Sequence, residues 1–359
     1  MGKVLIVTNH SYMLYRFRKE LLQRLASEHQ VVIVTPFVGH EKDLEKIGKC
    51  IKVDVDRRGM NPKTDLRLLH RYNALLKQEK PDLVITYSIK PNIYAGILCR
   101  HMHIPYAVNV QGMGTAFQSK KLAAIISVMY RYALRKAKIV FFENRNDAQE
   151  FLDYKIVTIN QCLVLPGAGI NLQEYSYQPY PSGQVRHFLY LGRIMKEKGM
   201  DEWFEAAERL KQEYQDLVEF DMVGFFEDEY RQKVEELVEK GIINFYGFQS
   251  EPRPYYAMAS CVVMPSWHEG LSNVLLEAAA IGRLIITSNV PGCREAVLDG
   301  ESGYLCEVQN AEMLYQTMKK VMKLPEEQLE RMGKRGRQWI TENFAKEKVV
   351  EQTVNAIHW

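Results

Sequence analysis

Short apolar runs rich in β-branched residues alternate with helix-like segments along the first half of the chain. In the segments at 15–28 and 65–79, apolar residues recur with the period of an amphipathic helix. Strands that are apolar throughout and alternate with helices are typical of a parallel sheet covered on both faces. The pattern predicts strands at 3–8, 30–35, 82–87, 106–110 and 138–143.

The pattern restarts after a break at 165–187, which is rich in Gly, Pro and Tyr and has neither period. The second series predicts strands at 187–192, 219–224, 243–248, 261–265 and 283–288. We therefore expect an α/β protein with two Rossmann-like α/β/α domains, 1–170 and 171–343, facing a central cleft. A C-terminal helix at about 344–359 is expected to pack back on the first domain. The cleft is the default ligand site, because open α/β sheets bind ligands at the carboxyl ends of their strands.

Composition favours a soluble globular protein. The 359 residues are 47% hydrophobic and 25% charged, and no apolar run reaches the roughly 18–20 residues that a membrane span requires. The six cysteines lie far apart without a CxxC pair, which indicates neither a disulfide framework nor a zinc site. We expect a reducing, cytoplasmic location.

The small net charge of +3 conceals an asymmetry between the two halves. Residues 1–180 carry a net charge of +11 and the remainder −8. Such a division predicts that the first half meets something anionic, either a membrane surface or a phosphate-bearing substrate. Uneven surface decoration is the alternative interpretation.

The stretch "SWHEGLSNVLLEAAAIG" (266–282) reads as a turn after a buried strand, followed by a helix that starts near Ser272 or Asn273. The N–H groups at a helix start suit a phosphate, and Gly270 lets a ligand approach the backbone closely. Glu277, in the second turn, could reach a ribose diol, and Glu269 could face a sugar beyond the phosphates. A nucleotide-diphosphate sugar would satisfy all of these features. The alternative is an exposed loop glutamate and an unrelated surface glutamate.

Two cations follow another predicted strand end. In "YLGRIMKEKGMDEWFEAA" (190–207) the strand is expected to end at Gly192, and Arg193 and Lys198 precede a new helix. Arginine offers a rigid fork and lysine a mobile point charge, which together suit a diphosphate. The alternative is a pair of solvated loop charges.

Together the two stretches resemble the C-terminal half of retaining glycosyltransferases of family 4, which have the GT-B fold. That family carries a G-R-x-x-x-x-K-G element and an E-G-x-x-x-x-x-x-E element, matched here by Gly192-Arg193…Lys198-Gly199 and Glu269-Gly270…Glu277. The stretch at 291–305 is similar to the usual continuation of the second element. The resemblance covers nearly the whole chain.

The resemblance implies that Arg193 and Lys198, beside Gly192, bind the donor diphosphate and stabilise its departure. Glu269 would bind hydroxyls of the donor sugar and Glu277 the ribose. The donor would also contact the segment around the helix start, through Gly270, Leu271, Ser272, Asn273 and Val274. Arg193, Lys198 and Glu269 are the expected catalytic residues.

The first half is similar to a bacterial branch of this family that extends sugars on undecaprenyl diphosphate, with similar stretches at 86–105, 109–117 and 165–175. The chain departs from many members in two places. The turn after the first strand lacks glycine, and Gln111 occupies a place where many members have histidine.

Candidate acceptor residues follow predicted strand ends in this half. Arg16, Arg18 and Lys90 could hold an acceptor diphosphate, although each could equally be an ordinary helix or loop cation. His10, at the end of the first strand, could orient a hydroxyl or have a structural role, and Gln111 is a further candidate for acceptor binding.

The segment 118–139 combines an apolar helix with the basic residues Lys120, Lys121, Arg131, Arg135, Lys136 and Lys138. A basic amphipathic helix can lie on an anionic membrane, to which each basic residue near the surface contributes about 1 kcal/mol. A core helix with basic ends is the alternative.

Other motifs carry less information. "DVD" at 54–56 matches a metal-binding D-x-D, but no other feature of metal-dependent transferases accompanies it, so we expect no essential metal or cofactor. The first strand–helix turn has no G-x-G-x-x-G, which disfavours a nicotinamide dehydrogenase. No nucleic-acid motif is present in the sequence.

The sequence thus predicts a retaining glycosyltransferase on the cytoplasmic face of the inner membrane. It would move a hexose or N-acetylhexosamine from a nucleotide sugar, with uridine the expected base, to a polyprenyl-diphosphate-linked saccharide of a bacterial surface polysaccharide. A nucleotide-sugar 2-epimerase of the same fold, or a non-catalytic nucleotide-sugar-binding partner, remains the alternative.

Overall fold

The structure, a computed structural model, describes residues 1–56, 61–112 and 120–357. The chain divides into two compact units. The first consists of Met1–Gly169 with Lys346–Trp359, and the second of Ile170–Ala345. Each unit has its own parallel sheet and hydrophobic core.

The first unit alternates strands and helices. In chain order these are β1 (Lys3–Val7), α1 (Ser11–Ala26), β2 (Gln30–Thr35), α2 (Glu41–Glu45), β3 (Lys49–Lys52), α3 (Pro62–Glu79), β4 (Leu83–Tyr87), α4 (Ile89–Met102), β5 (Tyr106–Val110), α5 (Lys120–Leu134), β6 (Ile139–Phe142), α6 (Arg145–Asp153) and β7 (Cys162–Val164). Over the described ranges the sheet has seven parallel strands in the order β3-β2-β1-β4-β5-β6-β7.

The five strands predicted for this unit are confirmed, and the structure adds β3 and β7 at the two edges. The inner strands β4 and β5 are buried at every position, because helices cover both faces of the sheet. The edge strands are short and only partly buried, with sequences KCIK and CLV. Neither carries the continuous apolar run that marks a central strand.

The second unit has the same alternation. Its elements are β8 (Arg186–Ile194), α7 (Met200–Tyr214), β9 (Val218–Phe226), α8 (Arg231–Glu239), β10 (Asn244–Phe245), α9 (Arg253–Met258), β11 (Cys261–Met264), α10 (Asn273–Ile281), β12 (Leu284–Ser288), β13 (Gly303–Cys306), α11 (Ala311–Met322) and α12 (Glu326–Asn343). Within the part of the chain that the structure describes, its sheet has six parallel strands in the order β10-β9-β8-β11-β12-β13.

Several strands in this unit differ from the prediction. β8 continues past Gly192 to Ile194, because it pairs along its whole length with β9. β10 contains only two residues of the predicted run 243–248, because the backbone leaves the extended conformation at Gly247, whose φ is +67°. The sequence pattern does not predict the edge strand β13, because its four residues, GYLC, include no β-branched residue.

The last helix, α13 (Lys346–Ala356), belongs to the first unit. Val349, Val350 and Val354 join the core beneath α1. At the start of α13, the Lys346 ammonium donates a 3.0 Å hydrogen bond to the Phe17 carbonyl of α1. The chain therefore completes its first unit with its final segment.

Each sheet has one point at which the strand order reverses. In the first unit this point lies between β1 and β4, and in the second between β8 and β11. The segments that follow the two strands at this point turn to opposite faces of the sheet, which opens a crevice at the carboxyl edge. Residues that follow β1, β4, β8 and β11 are therefore positioned for binding.

Candidate active site

Lys198 is held at the reversal point of the second sheet. It ends a short 3-10 helix, Lys196–Lys198, that follows β8 and precedes α7. Gly199 next to it has φ +73°, and a Cβ there would clash with the Pro265 carbonyl of the loop after β11. Only glycine lets these two loops approach so closely.

The close approach brings Lys198 to Glu269. The Lys198 ammonium forms an ion pair with Glu269 Oε1, and both side chains are largely buried. The Ser266 hydroxyl donates a 3.1 Å hydrogen bond to the same oxygen. Two residues that the sequence singled out separately thus form one charged cluster.

Gly292 contacts the backbone of the loop 269–272 and fixes its position. The Ser272 N–H donates to the Gly292 carbonyl at 2.8 Å, and the Gly292 N–H donates to Glu295 Oε2 at 2.7 Å. A Cβ on Gly292, whose φ is +83°, would overlap the carbonyl oxygens of Glu269 and Gly270. The stretch at 291–305 therefore shapes the loop that carries Glu269.

Helix α10 begins at Asn273, with Ser272 as its N-cap, as the sequence predicted. The Ser272 hydroxyl accepts a 3.5 Å hydrogen bond from the Leu275 N–H. Ser272 and Leu271 are buried, whereas Gly270, Asn273 and Val274 are half-buried. Backbone N–H groups in the first turn of a helix lack partners within the helix, and the helix dipole adds positive potential. This end of α10 is suited to an anion.

Glu277 is buried in the second turn of α10, with 3% of its surface exposed, which excludes the alternative of an unrelated surface glutamate. The Tyr256 hydroxyl of α9 donates a 2.8 Å hydrogen bond to Glu277 Oε2. A buried carboxylate oriented by a hydroxyl is the kind of group that accepts hydrogen bonds from a diol. The position is compatible with the ribose role that the resemblance implies.

Arg193 lies within the last residues of β8 rather than after the strand. Its guanidinium donates a 3.3 Å hydrogen bond to Glu227 Oε2, and 41% of the side chain is exposed. Its carbonyl accepts a 2.6 Å hydrogen bond from the buried Tyr190 hydroxyl. The backbone at Arg193 is thus fixed while the guanidinium stays accessible.

The charge of Glu269 acts on neighbouring groups. Burial raises the pKa of the Tyr190 phenol well above its ordinary value, and the nearby Glu269 carboxylate adds to that rise. Burial also raises the pKa of the Cys293 thiol, again with a contribution from Glu269. Both groups therefore stay protonated at neutral pH, and Cys293 is not a thiolate nucleophile.

Polar residues lie at the reversal point of the first sheet. The Ser88 hydroxyl after β4 donates to Asn9 Oδ1 after β1 at 2.8 Å. His10 is the N-cap of α1, and its Nδ1 accepts a 3.4 Å hydrogen bond from the Met13 N–H. Gln111 is exposed directly after β5.

Two of the candidate acceptor cations are neutralised by carboxylates. Arg18 is buried, and its guanidinium donates to Glu143 Oε1 at 2.8 Å. Lys90 forms a 2.6 Å ion pair with Asp65 of α3. Burial and pairing favour the structural alternative for Arg18, and its contact with an acceptor diphosphate stays a prediction. Arg16 is half-buried and donates to the Tyr12 hydroxyl at 3.5 Å.

Family models describe most of the chain. Residues 173–339 match the family described as glycosyl transferases group 1, and residues 3–144 match the family described as glycosyl transferase 4-like. The chain belongs to this family of glycosyltransferases. The predicted family, enzyme class and GT-B fold are thereby confirmed.

The curated relatives of this glycosyltransferase include other bacterial glycosyltransferases. A 24% identical protein of Campylobacter jejuni is N,N'-diacetylbacillosaminyl-diphospho-undecaprenol alpha-1,3-N-acetylgalactosaminyltransferase, and the match covers 84% of each chain. The Staphylococcus aureus capsular polysaccharide biosynthesis glycosyltransferase CapM is 24% identical over 80% of each chain. The Anabaena protein HepE, solved with UDP and glucose, superposes with a TM-score of 0.80 at 14% identity over 99% of each chain.

Four supporting residues of the glycosyltransferase were not predicted from its sequence. Ser266, Tyr256, Glu227 and Gly292 orient or support Glu269, Glu277 and Arg193. Ser266 and Gly292 lie in the stretches 266–282 and 291–305, which the sequence analysis singled out for other residues. Tyr256 and Glu227 come from other elements, and no sequence signal links them to the site.

The basic amphipathic segment of the glycosyltransferase forms α5, Lys120–Leu134. The side chains of Lys120 and Lys121 lie outside the part of the chain that the structure describes. So do residues 113–119, which include the end of the stretch at 109–117 that is similar to the bacterial branch. Across the described ranges, no helix combines the length and the apolar character needed to cross a membrane.

Proposed function

We propose that this glycosyltransferase moves a hexose or N-acetylhexosamine from a nucleotide-diphosphate sugar to a saccharide carried on a polyprenyl diphosphate. Uridine is the base we expect. The proposal rests above all on the Lys198–Glu269 pair, which stands at the reversal point of the second sheet and next to the start of α10. A cation and a helix start can bind the diphosphate of a nucleotide sugar, and an adjacent carboxylate can bind the hydroxyls of its sugar.

The donor would extend along α10 in this proposal. The diphosphate would lie at the helix start, between the ammonium of Lys198 and the guanidinium of Arg193. Glu277 would bind the ribose on one side, and Glu269 would bind hydroxyls of the transferred sugar on the other. The two glutamates would thus hold the two sugar-like ends of one ligand.

Transfer would break the bond between the anomeric carbon and the diphosphate oxygen, and would form a bond from that carbon to an acceptor hydroxyl oxygen. The acceptor proton would pass to the departing phosphate, which leaves from the same face of the sugar, so the anomeric configuration is retained. Lys198, Arg193 and the helix start would stabilise the negative charge that develops on the diphosphate. These fixed positive groups support a reaction without an essential metal ion or cofactor.

A lipid-linked acceptor is supported by the relatives. The name of the Campylobacter protein specifies a sugar diphospho-undecaprenol acceptor, and that of CapM specifies capsular polysaccharide biosynthesis. The net charge of +11 in residues 1–180 also suits an anionic lipid-linked substrate. We therefore propose that the enzyme works as a peripheral protein on the cytoplasmic face of the inner membrane.

The test is a nucleotide-release assay on the purified protein with UDP-, GDP-, ADP- and dTDP-sugars, with and without bacterial polyprenyl lipids. We expect one nucleotide to be released, faster with lipid, unaffected by EDTA, and lost in Glu269→Gln. The matched control is Glu229→Gln, which changes a carboxylate that no proposed contact involves. Conversion of the donor to its epimer without lipid, or nucleotide binding without any release, would overturn the proposal in favour of the epimerase or the non-catalytic partner.

A further inference from the structure

The two cations that we propose for the donor diphosphate each contact a carboxylate. The Lys198 ammonium pairs with Glu269 Oε1, and the Arg193 guanidinium donates to Glu227 Oε2 at 3.3 Å. A diphosphate that binds these cations therefore competes with carboxylates that already compensate their charge. Negative charge beside an anion site weakens the binding of the anion, so the two carboxylates need an explanation of their own.

The two ion pairs differ in how easily a phosphate can join them. In the first pair the side chains of Lys198 and Glu269 are 12% and 15% exposed, whereas 41% of the Arg193 side chain is exposed. Arginine has five N–H donors in a fork, so Arg193 can keep Glu227 and bind a phosphate as well. Lys198 supplies one point charge with little water around it. A phosphate beside Lys198 therefore leaves Glu269 without full compensation.

Neutral groups surround the rest of the Glu269 carboxylate. The Ser266 hydroxyl donates a 3.1 Å hydrogen bond to Oε1, the same oxygen that Lys198 contacts. The Tyr190 phenol and the Cys293 thiol nearby stay protonated, because burial and Glu269 itself raise the pKa of each group. Lys198 is thus the cation that the described contacts give to Glu269.

A nucleotide sugar and the product of its transfer differ in how they can replace that cation. In the proposed binding mode, hydroxyls of the sugar donate to Glu269 while the diphosphate takes Lys198. The bare product has no sugar, and its terminal phosphate carries roughly one more negative charge at neutral pH. Glu269 stands three positions before Ser272, the N-cap of the helix that we propose binds the diphosphate. The added charge would therefore lie beside an uncompensated carboxylate.

We propose that Glu269 makes this site discriminate against the bare nucleotide diphosphate, and hence against the product of transfer. While the sugar is bound, its hydroxyls compensate the carboxylate. Once the sugar has passed to the acceptor, Glu269 competes for Lys198 again and weakens the hold on the diphosphate. This role of Glu269 rests on the proposed donor-binding function of the site and adds a preference for substrate over product. Such a preference requires a repulsive element as well as attractive ones.

The test is calorimetric binding to the full chain of UDP-N-acetylgalactosamine, UDP-glucose, GDP-mannose, ADP-glucose and dTDP-glucose, each compared with its bare diphosphate. The wild-type protein should bind one sugar-linked nucleotide more tightly than the bare one. In Glu269→Gln the affinity for the bare diphosphate should rise by about fivefold or more, because like charges no longer meet. The affinity for the sugar-linked nucleotide should fall. A wild-type preference for the bare diphosphate would overturn the proposal without any variant.

Glu227→Gln is the matched control, because it removes the same charge beside the other cation but has no proposed contact with the sugar. It should raise the affinities for bare and sugar-linked nucleotides by similar factors, so that the preference remains. If Glu227→Gln and Glu269→Gln changed the preference equally, a general effect of charge would replace the proposal. Thermal unfolding of each variant verifies its folding.

A second control removes the cation for which the carboxylate competes. In a Lys198→Met background, Glu269→Gln should raise the affinity for the bare diphosphate by a smaller factor than in the wild-type background, since no ammonium is left to release. A gain of equal size in both backgrounds would show that competition for Lys198 is not the cause, and would overturn the proposal.

The nucleotide-release assay distinguishes a failure of this proposal from a failure of the proposed function. Release that depends on lipid, with no gain in affinity for the bare diphosphate in Glu269→Gln, would refute the discrimination and leave transfer intact. A gain in Glu269→Gln that depends on Lys198, without release from any donor, would refute transfer. Competition for Lys198 would then stand as a property of the diphosphate site alone.

Discussion

The ammonium of Lys198 and the carboxylate of Glu269 form an ion pair across seventy-one positions of sequence, in the crevice of the second sheet. Because both side chains are largely buried, each charge depends on the other for compensation. The pair therefore links the stability of this unit to the residues that we propose act on the donor.

Removing one partner should lower stability and transfer together. Glu269→Gln keeps an acceptor for Ser266 but leaves the Lys198 ammonium without its carboxylate. We expect the free energy of unfolding to fall by about 1–3 kcal/mol, measured by urea titration. The transfer rate should fall by about 10²–10³, the usual effect of losing one preorganised electrostatic contact.

A double-mutant cycle isolates the pair. Lys198→Met and Glu269→Gln together should reduce the unfolding free energy by less than the sum of the single changes, since no uncompensated charge remains. The ion pair between Lys211 and Glu219 provides a comparison within the same unit. Strict additivity of Lys198→Met and Glu269→Gln would contradict the coupling.

Glu277 should determine nucleotide affinity. Glu277→Ala removes the proposed ribose ligand and should weaken nucleotide binding by about 1–3 kcal/mol, measured by calorimetry. Tyr256→Phe keeps the carboxylate but removes the 2.8 Å hydrogen bond that orients it, so a smaller loss is expected. Unchanged affinity in Glu277→Ala would remove the ribose assignment.

Gly292 should tolerate no side chain, because a Cβ would overlap the backbone of Glu269 and Gly270. Gly241 is a matched control, since its φ of +66° is also positive but a Cβ added there would have no atom within 4 Å. Gly241→Ala should cost about 1–2 kcal/mol of unfolding free energy, the conformational term alone. Gly292→Ala should cost more and should also slow transfer. If Gly292→Ala and Gly241→Ala had equal effects on the unfolding free energy and on the transfer rate, close contact with Gly292 would not be what fixes the loop.

Stability should depend on pH through His187. The buried Asp221 carboxylate, 2.7 Å from His187 Nδ1, raises the pKa of the imidazole above its ordinary value. The resulting stabilisation is fully present below pH of about 6.5, the ordinary histidine pKa, and is lost as the pH rises through the raised value. Urea unfolding between mildly acidic and alkaline pH should show this decline, which His187→Gln abolishes and His101→Gln leaves in place.

The central strands and the start of α10 could be predicted from sequence because their signals are local. Strands such as β4 and β5 are apolar at every position, and Ser272 is a favoured N-cap residue. The two motifs likewise identified Lys198 and Glu269, although their ion pair depends on the approach of two loops.

The supporting residues could not be predicted, because their roles arise from tertiary contacts. Tyr256 comes from α9 and Glu227 from the turn after β9, and nothing near them in sequence marks a site. Arg18 is a further example. The sequence leaves open whether it contacts an acceptor or is an ordinary helix cation, and the fold buries it against Glu143. Whether a charge is exposed is decided by packing that periodicity does not report.

The position of α13 has a consequence for synthesis on the ribosome. Val349, Val350 and Val354 complete a core that also contains Val4 and Ile6 of β1. Everything that the second unit needs is translated before α13, whereas the first unit lacks part of its core until α13 emerges. The half of the protein that is made first should therefore be the half that finishes folding last.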